Sequence, residues 1–186
     1  ISAANLTNIP AANITGTLPA IDGSNLTGIS TGKILQVVQV AKTDTTSTTS
    51  TSFTDTTGMS ASITPSSSSN KVLVTVCLGS FTGVDAIYFA LCLADNTVLI
   101  QGDSASGKIS VSAGSYSGGS STGEGYFGAN STTFSKLHSP ATTSAVTYKL
   151  RWYINSGTGY LNRNQSDTNQ YALRTASTIT LMEVAA

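Results

Sequence analysis

The sequence predicts an all-β protein in which a short N-terminal fibrous repeat, residues 1–32, precedes an antiparallel, jelly-roll-like β-sandwich, residues 33–186. Three observations lead to this prediction. Charged residues make up only 10% of a chain rich in Ser, Thr and β-branched residues, a composition that favours strands over helices. Turn residues recur about every ten positions, as in antiparallel sandwiches. The first 32 residues repeat a pattern that contains no core of its own.

The repeat segment consists of three near-copies of one short sequence, at residues 5–10, 13–19 and 25–30. Its large aliphatic residues recur with a period of about eight, which fits neither a heptad nor a strand. Ordering a backbone costs on the order of 1–2 kcal/mol per residue, and one thin apolar stripe cannot offset that cost alone. We therefore predict that residues 1–32 form an intertwined fibrous shaft with other copies of the chain, as a homotrimer.

The remaining residues, here called the head, are expected to begin at residue 33, the first charged position after Asp22. Apolar or alternating segments predict its strands, and segments rich in Gly, Pro, Ser and Asn predict the connections. The predicted strands are residues 34–40, 51–54, 59–64, 71–78, 86–93, 97–101, 132–137, 145–154 and 177–184. Residues 44–51 are expected to be a loop or edge strand. Residues 102–125 and 155–176 are expected to be long polar excursions, the first with at most a short strand around Ile109 and Val111.

Two of these strands, residues 71–78 and 86–93, are apolar on both faces. Such strands require two covering layers, and we expect a neighbouring protomer to supply one of them. Residues 145–154 instead alternate, which places Trp152 on the core face. Arg151 and Tyr153 then lie on the opposite face, where we expect a neighbouring subunit.

The chain contains few residues suited to catalysis or metal binding. Cys77 and Cys92 lie within apolar runs, which predicts buried thiols that act as small hydrophobic residues; a cross-strand disulfide is the alternative. The single histidine, His138, lies in no metal-binding spacing, and the acidic residues are scattered along the chain, most of them in predicted turns. We therefore predict that the protein is not an enzyme and holds no cofactor or metal.

Charge and hydropathy restrict the classes of partner. Nine basic residues balance nine acidic residues, so no net field attracts nucleic acid or an anionic membrane. No apolar run approaches the roughly 18–20 residues of a membrane helix, and we expect no membrane insertion. Because the chain begins at Ile1 rather than Met, we expect further protein upstream.

The repeats and the head together resemble a known class of proteins. Asn-Leu-Thr-Gly-Ile at residues 25–29 and Asn-Ile-Thr-Gly-Thr-Leu-Pro at residues 13–19 lead into a Ser/Thr-rich β head that ends in Ser-Thr-Ile-Thr-Leu-Met-Glu-Val at residues 177–184. This arrangement resembles the carboxyl-terminal shaft and head of bacteriophage tail-fibre or virion fibre proteins, as in phages of marine bacteria and cyanobacteria. The resemblance implies a homotrimer on the virion, outside the cell, joined to upstream shaft and tail proteins. Its distal knob would contact the host, but no receptor-binding residue transfers by position.

Two loops carry the residue types that bind sugars. Aromatic faces stack on the C–H surfaces of sugar rings, while amide, carboxylate and guanidinium groups match the hydroxyls. Both the Tyr116 to Phe127 segment and the Tyr160 to Tyr171 segment combine these groups. The predicted receptor-binding residues are Tyr116, Glu124, Tyr126, Tyr160, Asn162, Arg163, Asn164, Asp167 and Tyr171.

The sequence thus predicts a non-enzymatic, homotrimeric phage tail-fibre tip that attaches the virion to a host bacterial surface receptor, either a glycan or a protein. A purely structural fibre or decoration module, which trimerises and registers the shaft, is the first alternative. A glycan depolymerase is the second alternative. It would require a pair of carboxylates that folding brings together.

Overall fold

The computed structural model of the protein describes residues 33–116, 129–167 and 172–186. The predicted shaft, residues 1–32, lies outside the described residues. Every regular element within the three described ranges is a β-strand. The strands are β1 (Ile34–Lys42), β2 (Thr46–Thr48), β3 (Thr54–Ile63), β4 (Lys71–Gly83), β5 (Ile87–Leu93), β6 (Val98–Ile100), β7 (Ala113–Ser115), β8 (Asn130–His138), β9 (Val146–Ile154), β10 (Gly159–Leu161) and β11 (Ser177–Val184).

The strands form two antiparallel sheets. Sheet I has the order β1-β11-β4-β10-β2, and β8 pairs with the other edge of β4. Sheet II has the order β3-β9-β5-β6, and β7 pairs with β5. Early and late strands alternate across both sheets, as they do in a jelly roll built from two Greek keys. The prediction of an all-β, antiparallel sandwich is confirmed.

The core lies between the facing sides of the two sheets. Alternate residues of β4, namely Val72, Val74 and Val76, are fully buried, and so are alternate residues of β9. Trp152 lies in this layer with its ring stacked on Phe89 at a centroid distance of 6.1 Å. The prediction that Trp152 is a core residue is confirmed, because a period of two directs alternate side chains to the same face.

The segment around Thr56-Thr57-Gly58 forms one strand, whereas the sequence predicted two. β3 runs continuously from Thr54 to Ile63, and its register against β9 shifts between Asp55 and Ser60. Gly58 has a φ of +80° at this shift. A bulge accommodates such a residue without ending the strand, so the turn signal in the sequence marked a bulge.

Two short strands differ from the predictions. β7 lies at Ala113–Ser115 rather than around Ile109 and Val111. β10 occupies Gly159–Leu161, within a segment predicted to be turns. An added Cβ at Gly159 would lie 3.0 Å from the Ile87 side chain, so the glycine permits a close backbone approach that periodicity does not reveal. β2 is an edge strand, as predicted.

The two strands predicted to be apolar on both faces differ in how their outer sides are covered. β5 is buried on both sides, including Ala90 and Cys92 on the side away from the core. Over residues 71–78, β4 is covered only on its core side, since Leu73 is half-buried and Cys77 is exposed. The prediction that Cys77 is buried is therefore wrong for one protomer. Both thiols are free, on the outer sides of different sheets, which excludes a disulfide between them.

Strand β4 extends along the whole of sheet I and defines its two ends. Lys71 pairs with Val184, which pairs with Ile34, and Gly83 pairs with Gly159. Thirteen residues of extended chain span about 40 Å. We call these the Ile34 end, where residues 1–32 join the head, and the Gly83 end.

A buried carboxylate holds the Ile34 end together. Glu183 is 1% exposed, and its oxygens accept hydrogen bonds from Gln36 Nε2 (2.6 Å), Asn70 Nδ2 (2.6 Å), and the backbone N and Oγ of Ser66 (2.7 Å each). Burial acts to raise the pKa of Glu183, but the donors outweigh it and lower the pKa to about 2. The side chain thereby ties β11 to β1 and to the β3–β4 turn.

We predict that Glu183→Gln destabilises the head by about 2–3 kcal/mol, because hydrogen bonds to a charged group contribute more than neutral ones. The side-chain amide of this variant would also point its own N–H groups at the N–H donors of Gln36, Ser66 and Asn70, which cannot accept them. Urea unfolding measures the change. Asp103→Asn, at an exposed acid, is the matched control and should change stability by less than about 0.5 kcal/mol. Equal stability of the two variants would contradict the role of Glu183.

The same group makes stability depend on pH. The pKa of Glu183 is lowered on folding from 4.5, so its contribution is present above that value and is lost as the pH falls towards 2. We therefore expect the native chain to lose more unfolding free energy between pH 5 and pH 2 than Glu183→Gln does. Thermal unfolding followed by circular dichroism at each pH tests this, and parallel pH profiles would refute it.

Candidate functional site

The segments that carry the predicted binding loops meet at the Gly83 end. Asn130, the first residue of β8, pairs with Phe81 and donates a hydrogen bond from Nδ2 to Ser115 Oγ (2.9 Å). The backbone N of Val84 donates to the carbonyl oxygen of Thr158 (3.4 Å). Both predicted loops therefore begin at the end of the head that lies farthest from the junction with residues 1–32.

A shallow cleft opens at this end on the outer face of sheet II. Its volume is about 360 Å³, and Tyr88 and Tyr116 are its aromatic lining residues. Tyr116 is 71% exposed, which makes it the most solvent-accessible of the exposed large hydrophobic side chains in the described residues. Gly114 keeps the cleft open, because an added Cβ would lie 3.3 Å from the Tyr88 ring and 2.9 Å from the Ile87 carbonyl oxygen.

Further aromatic rings extend the cleft across the sheet. Tyr153 stacks on Tyr88 at a centroid distance of 4.7 Å and an interplanar angle of 28°, and Phe53 meets Tyr153 edge-on at 4.7 Å. The guanidinium of Arg151 lies 5.9 Å from the Phe53 ring. Burial, with the neighbouring Tyr88, raises the pKa of Tyr153, so its phenol stays neutral and can donate a hydrogen bond. These rings form one continuous, half-buried aromatic surface.

Polar groups border the aromatic surface on two sides. Asp55 pairs with Lys149 (3.0 Å) and Arg151 (3.3 Å) on the outer face of sheet II. Asp85 accepts hydrogen bonds from Asn155 Nδ2 (2.7 Å) and from the backbone N of Ala86 (2.7 Å), a residue of the cleft. Those bonds, that from Asn155 first, lower the pKa of Asp85. The border of the cleft therefore carries fixed charges and amides.

The second predicted loop forms a separate cluster on the outer face of sheet I, also at the Gly83 end. The Arg163 guanidinium lies 4.3 Å from the centroid of the Tyr160 ring and pairs with Asp167 (3.1 Å). Asp167 also pairs with Arg174, and this bond is the main cause of its lowered pKa. The structure thus brings three of the predicted residues together: Tyr160, Arg163 and Asp167.

Two predicted contact residues of this loop lie inside the fold instead. Asn162 and Asn164 are fully buried, so the prediction that they face a receptor is wrong. Asn162 donates from Nδ2 to the carbonyl oxygens of Lys42 (2.8 Å) and Asp44 (2.9 Å), and its Oδ1 accepts from Ser177 Oγ (2.6 Å). Buried carbonyl groups need donors, and an asparagine in a turn supplies them as readily as it binds a ligand.

The remaining predicted contact residues, Glu124, Tyr126 and Tyr171, lie outside the described residues. The structure also adds residues that the sequence reasoning had not assigned to a binding site, namely Phe53, Tyr88 and Tyr153. Tyr88 lies within an apolar run, but it is out of phase with Ile87 and Phe89. That alternation was the available signal that its ring faces outward.

His138 and Tyr148 are two titratable residues that contact each other within the fold. His138 ends β8, and its Nδ1 lies 2.9 Å from the hydroxyl of Tyr148. Burial, with Lys136 nearby, lowers the pKa of His138, and burial raises that of Tyr148 to about 12. No group of three His, Cys, Asp or Glu side chains suited to a metal ion occurs in the described ranges. The absence of enzymatic activity remains a prediction.

No protein-family model and no curated protein matches the chain. Within residues 33–116, 129–167 and 172–186, no helix is long and apolar enough to cross a membrane.

We predict that Asn162→Ala destabilises the head by about 3–4 kcal/mol. The substitution removes two buried hydrogen bonds and one partly buried hydrogen bond, and it leaves alanine at a φ of +64° without the side-chain bonds that stabilise asparagine there. Asn162→Gly separates the two causes. It relieves the backbone strain and should be less destabilising than Asn162→Ala by about 1 kcal/mol. Chemical denaturation measures both. A loss below about 1 kcal/mol in both variants would contradict the structural role of Asn162.

Proposed function

We propose that this chain is the non-enzymatic tip of a homotrimeric phage tail fibre and that it attaches the virion to a glycan on the bacterial surface. The observation that carries the proposal is the cleft of Tyr88 and Tyr116, which opens at the Gly83 end, whereas the repeats join the head at the Ile34 end, about 40 Å away along β4. A fibre tip needs this separation, because its distal end meets the host while its proximal end continues into the shaft. The resemblance of the repeats to phage fibre shafts supplies the biological setting.

The chemistry of the cleft suits a sugar better than a peptide. Its aromatic rings offer electron-rich faces on which the C–H groups of a pyranose stack. Its volume of about 360 Å³ lies at the low end of the range for small-molecule sites, which fits one or two sugar rings. Ser115 and the amides and carboxylate around Asp85 provide the few polar groups that orient a bound hydroxyl.

The balanced charge of the chain determines how such binding should behave. With nine basic and nine acidic residues, no net field attracts a charged polysaccharide from a distance. Contact area and hydrogen bonds must then supply the affinity of each cleft. Weak binding at each site of a trimer is multiplied by avidity when three clefts engage one surface. We therefore expect binding that depends little on salt and strongly on oligomerisation.

We expect Tyr116→Ala to weaken binding of the full chain to its surface glycan at least tenfold, since truncation of a central aromatic contact costs more than about 1.4 kcal/mol. Binding is measured on an array of purified bacterial lipopolysaccharides and capsular polysaccharides. The matched control is Val98→Ala, at a 40% exposed residue of the same sheet, which should bind as the native chain does.

Three results would decide against this proposal in different ways. Native-like binding by Tyr116→Ala, with loss of binding in Tyr160→Ala, would move the receptor site to the Tyr160 cluster. Binding to bacterial cells that protease treatment abolishes would replace the glycan with a protein receptor. Failure of the native chain both to bind susceptible cells and to block phage adsorption would refute adhesion and leave the structural alternative.

A further inference from the structure

The outer face of sheet I carries a row of apolar side chains that nothing in the described residues covers. The pairing register aligns Val37 with Met182, Met182 with Leu73, and Leu73 with Leu137, on the side of each strand away from the core. Val37 is 56% exposed and Leu137 is 46% exposed. Apolar side chains that are contiguous across four strands mark an interaction surface rather than a chance exposure.

The rest of this face contains no charged side chain along the next two rows. The second row consists of Gln39, Thr180, Thr75 and Ser135, and the third consists of Ala41, Thr178, Cys77 and Thr133. Depletion of charge at the centre of a patch is the compositional sign of an interface. We call these three rows the uncharged face.

The outer face of sheet II, in contrast, carries charged side chains. Asp55, Lys149 and Arg151 form ion pairs there, and covering them with a second protein would remove charges from water. The three rows of the uncharged face carry no such penalty, because the ion pairs of Asp167 lie outside these rows, at the Gly83 end of sheet I. The two sides of the sandwich therefore differ in what they can contact, and only the uncharged face suits a dry protein interface.

We propose that the uncharged face is the surface on which copies of this chain meet. The repeats argue for this occupant, because residues 1–32 need neighbouring copies and join the head at Ile34, beside the apolar row. Copies that are held together there bring these faces next to one another. The inference deepens the trimer in the proposed function and rests on it. The competing occupant is residues 1–32 of the same chain.

The size of the face predicts how tightly the heads associate. Four strands at about 4.8 Å and five residues at about 3.3 Å give a footprint of roughly 300 Å². That area is less than half of the roughly 800 Å² per partner in a stable interface. Head contacts alone are then weak, and the repeats must supply the remaining affinity.

The cysteines provide an internal probe for this proposal. Cys77 is exposed in one protomer and lies in the third row, whereas Cys92 is buried. In the full chain at micromolar concentration, we expect N-ethylmaleimide to modify Cys77 at least tenfold more slowly than in Val37→Glu, which places a charge in the apolar row. Light scattering should give about three times 19.0 kDa for the native chain and a lower mass for Val37→Glu.

Val98→Glu is the matched control, because Val98 is an exposed valine of sheet II. It should keep the native mass and the slow reaction of Cys77. We expect Val37→Glu to be folded, because Val37 makes little contact with the core. Circular dichroism melting of the variant checks this. Leu137→Glu tests the other edge of the same row and should act in the same direction.

Each contrary result has its own meaning. Equally fast modification of Cys77 in the native oligomer and in Val37→Glu would overturn the proposal, since the face would be open. If Cys77 is protected although light scattering gives the mass of a single chain, the covering segment is residues 1–32 of the same molecule. That result would also overturn the proposal. If the native oligomer binds no glycan but its Cys77 is protected, the proposed receptor function is refuted, whereas the proposed interface between copies is supported.

Discussion

The hydrogen-bonded ladder on both edges of β4 is the constraint on which the rest of the head depends. β11 and β10 pair with one edge and β8 pairs with the other. A strand held on both sides cannot slide, because a shift of one residue would turn every buried valine outward. It therefore keeps the Ile34 end and the Gly83 end about 40 Å apart. Assembly and recognition can then occupy different ends of one rigid element.

The sequence predicted the sandwich well because its core strands follow a strict period of two. Trp152 and its alternate neighbours could be assigned to the core from this period alone. The outer faces of β4 and β5 could not be distinguished in the same way, since both read as apolar. In the structure, Cys92 lies beside Lys149 and Arg151 and is buried, while Cys77 lies on an open face. Which neighbour covers an apolar face is a property of tertiary packing.

The candidate site was predictable only in part, for a related reason. Tyr116 could be found because it lies in a Gly/Ser-rich segment with no core to join. Asn162 and Asn164 have the same turn-like surroundings, yet the fold uses their side chains for buried hydrogen bonds. Tyr88 was missed because its apolar neighbours suggested a core strand. Polarity indicates that a side chain needs partners, and only the fold decides whether those partners are internal.

We propose that one end and one face of the head assemble copies of the chain while the opposite end remains free to bind a receptor. A cryo-electron microscopy structure of the full chain in its assembled state tests this most directly. We expect protomers side by side around a common axis, with the Cys77 faces turned towards one another and the Tyr88–Tyr116 clefts open to solvent. An assembly in which the clefts are buried between protomers, or in which the Cys77 faces point outward, would contradict it.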